Sequence, residues 1–222
     1  MKNLKLKSAR AALDLSQQDL RILPKELFDI ESLEELNLDR NKLVELPDEL
    51  GQLKNLKSLS VSENDLMELP DSIGNLTKLE HLYLGYNSLS ELPSTIGKLT
   101  NLHTVNIAKN QLMDLPEEIG NWKKVVKLSL HDNMLTDIPA SLGEMESLVK
   151  LYLDNNELTS IPSTLGHLGK LRELVLDANQ LATLPEALAE CSSLQTISII
   201  ENPMEAGVPR VLLDKKGLKI DQ

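Results

Sequence analysis

The sequence predicts an α/β-class right-handed solenoid, a horseshoe whose concave face is a parallel β-sheet. Three observations carry this. Asparagines recur at Asn41, Asn64, Asn87, Asn110, Asn133, Asn156, Asn179 and Asn202, each step 23 residues long. Prolines keep the same phase from Pro24 to Pro185, and glycines keep it from Gly51 to Gly166. Between them leucines alternate with variable residues, as in a strand with one buried face.

One unit runs from Leu79 to Asn101 and reads LxxLxLxxNxLxxLPxxIGxLxx. Leu82 and Leu84 flank Tyr83, so the two leucines point inward and the tyrosine outward. Such a short strand is not stable alone. Copies stacked in phase would pair in parallel, about 4.8 Å apart. A parallel return needs a long crossover, which the LPxxIGxL half supplies, and the connection is right-handed. Pro93 fixes φ at its start and withholds a donor where no ladder partner exists. Gly97 is expected to permit a tight convex turn, and the convex segments are expected to hold only short helical or 3₁₀ turns. Each Asn offers one acceptor and two donors to backbone groups that would otherwise be buried unpaired, so the asparagine ladder reads as structural. Gln18 takes this place in the first repeat.

This unit resembles the leucine-rich-repeat family, over roughly residues 10–204. Within it the repeats are most similar to the intracellular subgroup of Ras-suppressor proteins, plant Ras-group repeat proteins and Scribble-type scaffolds. Bacterial leucine-rich-repeat proteins carry similar 23-residue units. The resemblance implies a protein-binding scaffold or adaptor in signal transduction, with a small GTPase or signalling complex as partner.

A solenoid needs covered ends. Residues 1–9 are expected to form an N-terminal cap, 10–204 about nine turns, and 205–222 a C-terminal cap. Leu4 and Leu6 alternate with lysines, which fits a capping strand or a frayed helix, and Arg10 stands where later units have leucine. The tail from Pro209 to Gly217 reads as a short helix, with Pro at its start, Lys215 and Lys216 at its end, and Gly217 as its stop. Val208, Leu212 and Leu213 are its candidates for sealing the last core layer.

Leucine makes up about a fifth of the chain and aromatics only 2%, so the interior must be built from branched aliphatics. The net charge of −11 repels phosphate and anionic lipid, which argues against nucleic acid as a partner. No apolar stretch approaches the roughly 18 residues of a membrane-spanning helix. The start lacks the apolar core and cleavage site of a signal peptide. Cys191 is the single cysteine, so no internal disulfide can form. A reducing, cytoplasmic setting is expected. Cys191, Trp122 and Met145 fall in a row of leucines and read as core.

The outward rows of the strands vary from repeat to repeat while the core rows barely do, so the outward positions are free to carry specificity. The middle row runs Asp14, Asn37, Ser60, Tyr83, Asn106, Ser129, Tyr152, Val175, Ser198. One flanking row holds His81, Thr104, Lys127, Lys150 and Glu173, and the other holds Gly85, Ala108, His131, Asp154 and Asp177. The chain's three tyrosines all lie in the central repeats. The candidate partner-binding residues are therefore His81, Tyr83, Tyr86, Asn106, Lys127, Ser129, His131, Lys150, Tyr152 and Asp154. Tyrosine anchors interfaces because it brings apolar area, few torsions and a polar tip. The opposing reading is an ordinary polar sheet surface. Acidic residues toward both ends of this face, such as Glu35 and Asp177, fit solvated charge or a basic partner strip.

Nothing points to catalysis. His81, His103 and His131 occupy different rows, so a converging metal site is not expected. Ser129 has Lys127, His131 and Tyr152 nearby, but an open sheet neither excludes water nor builds an oxyanion hole. No phosphate loop or dinucleotide motif occurs, and no cofactor is implied. The expected function is protein binding on the concave face, by a monomer or weak dimer. The alternative from another class is a substrate-recognition or inhibitory subunit, or a fragment, of an enzyme such as a ubiquitin ligase.

Overall fold

The computed structural model describes residues 11–222. Ten strands stack in chain order into one parallel sheet: β1 Ala11–Asp14, β2 Leu33–Asn37, β3 Ser58–Ser60, β4 His81–Tyr83, β5 Thr104–Asn106, β6 Lys127–Ser129, β7 Lys150–Tyr152, β8 Glu173–Val175, β9 Thr196–Ser198 and β10 Lys219–Asp221. The register keeps the repeat phase: Leu59 pairs Leu82, which pairs Val105, then Leu128, Leu151, Leu174, Ile197 and Ile220. All of these side chains but the half-buried Ile220 are buried, as are their neighbours Leu84, Leu130 and Leu153, so the expected right-handed solenoid with a parallel concave sheet is what forms. The expected capping residues Leu4 and Leu6, with Arg10, lie outside the described residues.

The convex side is a column of 3₁₀ turns, from Asp48–Gln52 to Glu186–Glu190, with a shorter first member at Lys25–Leu27. Each follows an extended proline whose carbonyl accepts the turn's first hydrogen bond, as when Ile96 N–H donates to Pro93 O at 2.9 Å.

The glycines of these turns do something other than relax the backbone. Among the described glycines only Gly207 and Gly217 have positive φ. At Gly120 an added Cβ would lie 2.7 Å from both the Cβ and the carbonyl oxygen of Ser141 in the next turn. The repeated glycine is therefore a close-approach residue between neighbouring turns. Ala189 replaces it in the last regular turn, where no further 3₁₀ turn stacks.

The asparagine ladder is structural as expected. Asn87 Nδ2 donates to Leu84 O at 3.1 Å in its own turn and to Val61 O at 2.9 Å in the preceding one, while its Oδ1 accepts Leu66 N–H at 3.0 Å. The residue before each asparagine is left-handed whatever its type: Arg40, Glu63, Tyr86, Lys109, Asp132, Asn155 and Ala178 have φ between 50° and 58°. Each donates its N–H to a carbonyl of the next turn, such as Tyr86 to Ala108 O at 2.9 Å, which offsets a conformational cost of roughly 1 kcal/mol.

Trp122 and Cys191 are core residues. Trp122 Nε1 donates to Ile96 O at 3.0 Å, and the Cys191 thiol approaches Leu165 O at 3.1 Å. Burial pushes that thiol up to about 11, so it is not a nucleophile at neutral pH. At the C-terminal end the helix α1 spans Arg210–Leu213 and buries Leu212 completely. Leu213 turns to solvent instead of sealing the core, because a single helical turn presents only one side to the solenoid end. Lys215 Nζ donates to Ala189 O at 2.7 Å and closes the last 3₁₀ turn. The chain then returns to the sheet as β10, with Ile220 a full repeat after Ile197.

Candidate functional site

The register brings the outward rows together in the predicted order. Tyr83, Asn106, Ser129 and Tyr152 are consecutive Cα partners across β4, β5, β6 and β7, as are His81, Thr104, Lys127 and Lys150. The two tyrosines therefore stand three strands apart, about 14 Å. Between them the floor is low: Ala108 and Ser129 are 1% and 4% exposed, and Gly85 is buried. Ser129 consequently offers a partner little surface, and Asn106 uses its Oδ1 on Ala108 N–H at 3.1 Å.

Each tyrosine has its own group of neighbours. His81 stacks beside Tyr83 with ring centroids 6.4 Å apart and lies 6.5 Å from the His103 ring. Its Nδ1 is buried without a hydrogen-bond partner. Tyr152 has Lys127 Nζ 5.3 Å from its ring centre, a cation–π contact. Lys150 holds Glu173 at 2.8 Å, and that hydrogen bond, with Tyr152 beside it, raises the ammonium's affinity for its proton. Burial, then the Glu173 carboxylate, pushes the Tyr152 hydroxyl above its ordinary value. Burial likewise raises the Asp154 carboxyl against the pull of His131. Tyr86 is not in these rows. It sits at the left-handed corner after β4, 55% exposed, with Lys109 Nζ 4.9 Å from its ring centre.

The acidic ends of the face are largely engaged. Asp39 accepts the Ser60 hydroxyl and Ser62 N–H, both at 2.7 Å, and Asp177 accepts the Ser198 hydroxyl at 2.6 Å and Ile200 N–H at 2.8 Å. Glu34 pairs with Lys57 at 3.0 Å. Beside that pair lies a shallow depression of about 310 Å³, lined by Glu35, Ser58, Glu80 and His81, which sequence reasoning missed because it forms between rungs. Among the described residues no three His, Cys, Asp or Glu side chains converge as metal ligands.

The pattern that defines a leucine-rich repeat region matches residues 81–213, more than half of the chain, and a leucine-rich repeat pattern matches residues 31–89. The chain belongs to the leucine-rich-repeat family. No curated protein matches it significantly. Among solved structures it is similar to the plant peptide hormone receptor RGFR1 in complex with RGF2, at 32% identity and a TM-score of 0.79 over 89% of this chain and 33% of that one. It is also similar to the ectodomain of the receptor kinase GASSHO1/SCHENGEN3 from Arabidopsis thaliana, in complex with CASPARIAN STRIP INTEGRITY FACTOR 2. That match has 36% identity and a TM-score of 0.73 over 82% of this chain and 23% of that one. An internalin from Listeria monocytogenes, at 23% identity and a TM-score of 0.68, covers 90% of this chain and 64% of that one and shows the shared fold alone. The chain thus spans a third or less of the plant receptor chains. Its solenoid carries a varied exposed sheet on a mostly leucine core, the architecture of a family whose members typically serve as protein-interaction modules.

Proposed function

We propose that this chain is an intracellular scaffold or adaptor that binds a protein partner along its concave face. The observation that carries this is the pairing of Tyr83 and Tyr152 in one row, either side of a floor built from Gly85, Ala108 and Ser129. An extended segment lying across β4 to β7 can set side chains against both rings, where burial of tyrosine contributes most. Lys127 and the His81–His103 pair give that middle stretch a more basic character than the acidic ends. A partner with carboxylates near its centre fits best. The plant receptors are seen in complexes named for RGF2 and CASPARIAN STRIP INTEGRITY FACTOR 2, which supports a peptide or protein as the ligand.

The cytoplasmic setting and a role in small-GTPase signalling rest on the resemblance to Ras-suppressor and Scribble-type repeats. The lone buried Cys191 thiol suits a reducing compartment. Affinity purification from cytosol with the wild-type chain and a Tyr83→Ala/Tyr152→Ala variant tests the reading. Loss of specific partners by about tenfold or more is expected for the variant. Retention of every partner would refute the site, and a partner set without signalling proteins would refute the pathway.

A further inference from the structure

The flank by which the chain leaves each strand carries a second ordered surface. Past each asparagine the turns pair again by backbone hydrogen bonds, as Asp65 to Leu43 O at 2.9 Å and Met134 to Leu112 O at 2.9 Å. Leu43, Leu66, Leu89 and Leu112 point inward, so their neighbours form an outward face. On it Val44, Met67 and Met113 share one row, interrupted by Ser90, and are 50%, 60% and 58% exposed. Beside them runs an acidic rail, one carboxylate per turn: Glu45, Glu68, Glu91, Asp114 and Asp137, all exposed. Among the described residues the first four make no ion pair or side-chain hydrogen bond, and Asp137 reaches only its neighbour's Ile138 N–H. Arg21, one turn before Val44, makes no ion pair with the rail. Between the second and third turns the rail borders a depression of about 290 Å³, lined by Leu46, Pro47 and Pro70 together with Glu45, Asp48 and Glu68.

Three carboxylates beside Leu46, Pro47 and Pro70 suit a long aliphatic stem ending in a cation. The spacing then selects the shape of the partner. Successive turns are about 5 Å apart, so five carboxylates span about 20 Å. An α-helix rises about 5.4 Å per turn and can place one arginine or lysine opposite each carboxylate, with its apolar stripe over the methionines. An extended strand repeats on one face about every 6.8 Å and drifts out of step within two or three turns.

We infer that this flank docks a basic amphipathic helix of a partner protein, laid along the solenoid axis, with a cationic side chain in the Glu45–Glu68 depression. The inference is independent of the concave site. The probe is a labelled synthetic helix of about four turns, with one arginine per turn beside a leucine stripe. Its controls are an isomer with the arginines scrambled around the helix and a proline-containing extended isomer. Fluorescence anisotropy with the full chain should show the ordered helix binding about tenfold tighter than either control. Glu45→Gln/Glu68→Gln/Glu91→Gln and Met67→Ser/Met113→Ser should each remove about that preference, while Tyr83→Ala/Tyr152→Ala should change it less than about twofold. All five flank positions are exposed, so circular dichroism is expected to report an unchanged fold. Equal binding of the scrambled or extended isomer, or wild-type affinity in the carboxamide variant, would overturn the inference. So would stabilisation by calcium ions that the carboxamide variant lacks, without any peptide preference, since the rail would then be a metal site.

Discussion

Asn110 Nδ2 donates to Leu84 O in the preceding turn at 3.0 Å, tying two rungs of the solenoid together through a side chain that is 7% exposed. The same amide bonds Ile107 O at 3.1 Å, and its Oδ1 accepts Leu89 N–H at 3.0 Å. Removing it orphans the buried Leu89 N–H and takes one of two amide donors from each carbonyl, since Leu84 O keeps Asn87 and Ile107 O keeps Asn133. Asn110→Ala is expected to lose on the order of 2 kcal/mol in urea unfolding, chiefly from the desolvated Leu89 N–H and the lost tie to the preceding turn. Asn202→Ala, half-buried near the end, should lose about 1 kcal/mol because water can reach the groups it leaves. Equal losses would mean the ladder acts locally rather than by joining turns.

The convex glycines predict an inverted propensity rule. In most helical turns Gly→Ala stabilises. At Gly120 the new methyl would meet Ser141 at 2.7 Å, backbone included, so the two turns must separate. Gly120→Ala is expected to destabilise by about 1–3 kcal/mol, as overpacked cores do. Ala189→Gly, at the same phase but beside no further 3₁₀ turn, should cost less than about 1 kcal/mol, the ordinary price of glycine flexibility. Thermal melts of both variants distinguish close approach from backbone freedom as the reason for the row.

Cys191 links burial to pH. Its thiol is raised from an ordinary value of 9.0 to about 11, chiefly by burial. The neutral thiol is the form the fold favours, so this contribution is fully present below pH 9. It is lost as pH rises from about 9 to about 11, where the unfolded chain releases a proton that the folded chain keeps. The loss is on the order of 2 kcal/mol. Urea midpoints between pH 8 and 11 should fall more steeply for the wild type than for Cys191→Ala, and disulfide reagents should modify the native thiol only at the rate of unfolding. Rapid modification at pH 8 would place the thiol outside the core.

Most of the fold was legible because one period governs three residue types, and a wrong register would expose every leucine of a rung at once. The outward rows followed from the same register, including the Tyr83–Tyr152 spacing. What stayed hidden lacked residue identity as a signal. The left-handed corner is occupied by Arg40, Glu63, Tyr86, Lys109 and Ala178 in turn, because a neighbouring carbonyl, not a side-chain preference, holds it. Tyr86 joins the candidate residues by its place in the central repeats, and the structure sets it at this corner, outside the outward rows of the strands. The role of the glycines was misread because sequence shows a missing Cβ but not the turn pressed against it. β10 did leave a trace, Ile220 in phase with Ile197, obscured by Gly217 where a repeat leucine would stand. Depressions between rungs, such as the one beside His81, depend on how adjacent side chains lean and have no linear signature.

The C-terminal end should open first and separately. Leu212 is fully buried against the last turn, while its neighbour Leu213 is 58% exposed. Lys215 adds a hydrogen bond to Ala189 O, and among the described residues β10 has β9 as its single paired strand. Repeat proteins are stabilised by nearest-neighbour contacts, so damage at one end propagates inward rather than collapsing the whole. Leu212→Ala is expected to cost about 2–4 kcal/mol locally, and Leu213→Ala no more than about 0.5 kcal/mol. Hydrogen exchange should show Leu212→Ala losing protection at Lys219–Asp221 and Thr196–Ser198 while His81–Tyr83 and Thr104–Asn106 keep theirs. Uniform loss across all strands would mean the solenoid unfolds as one cooperative unit, and that α1 supports the distant rungs as much as the near ones.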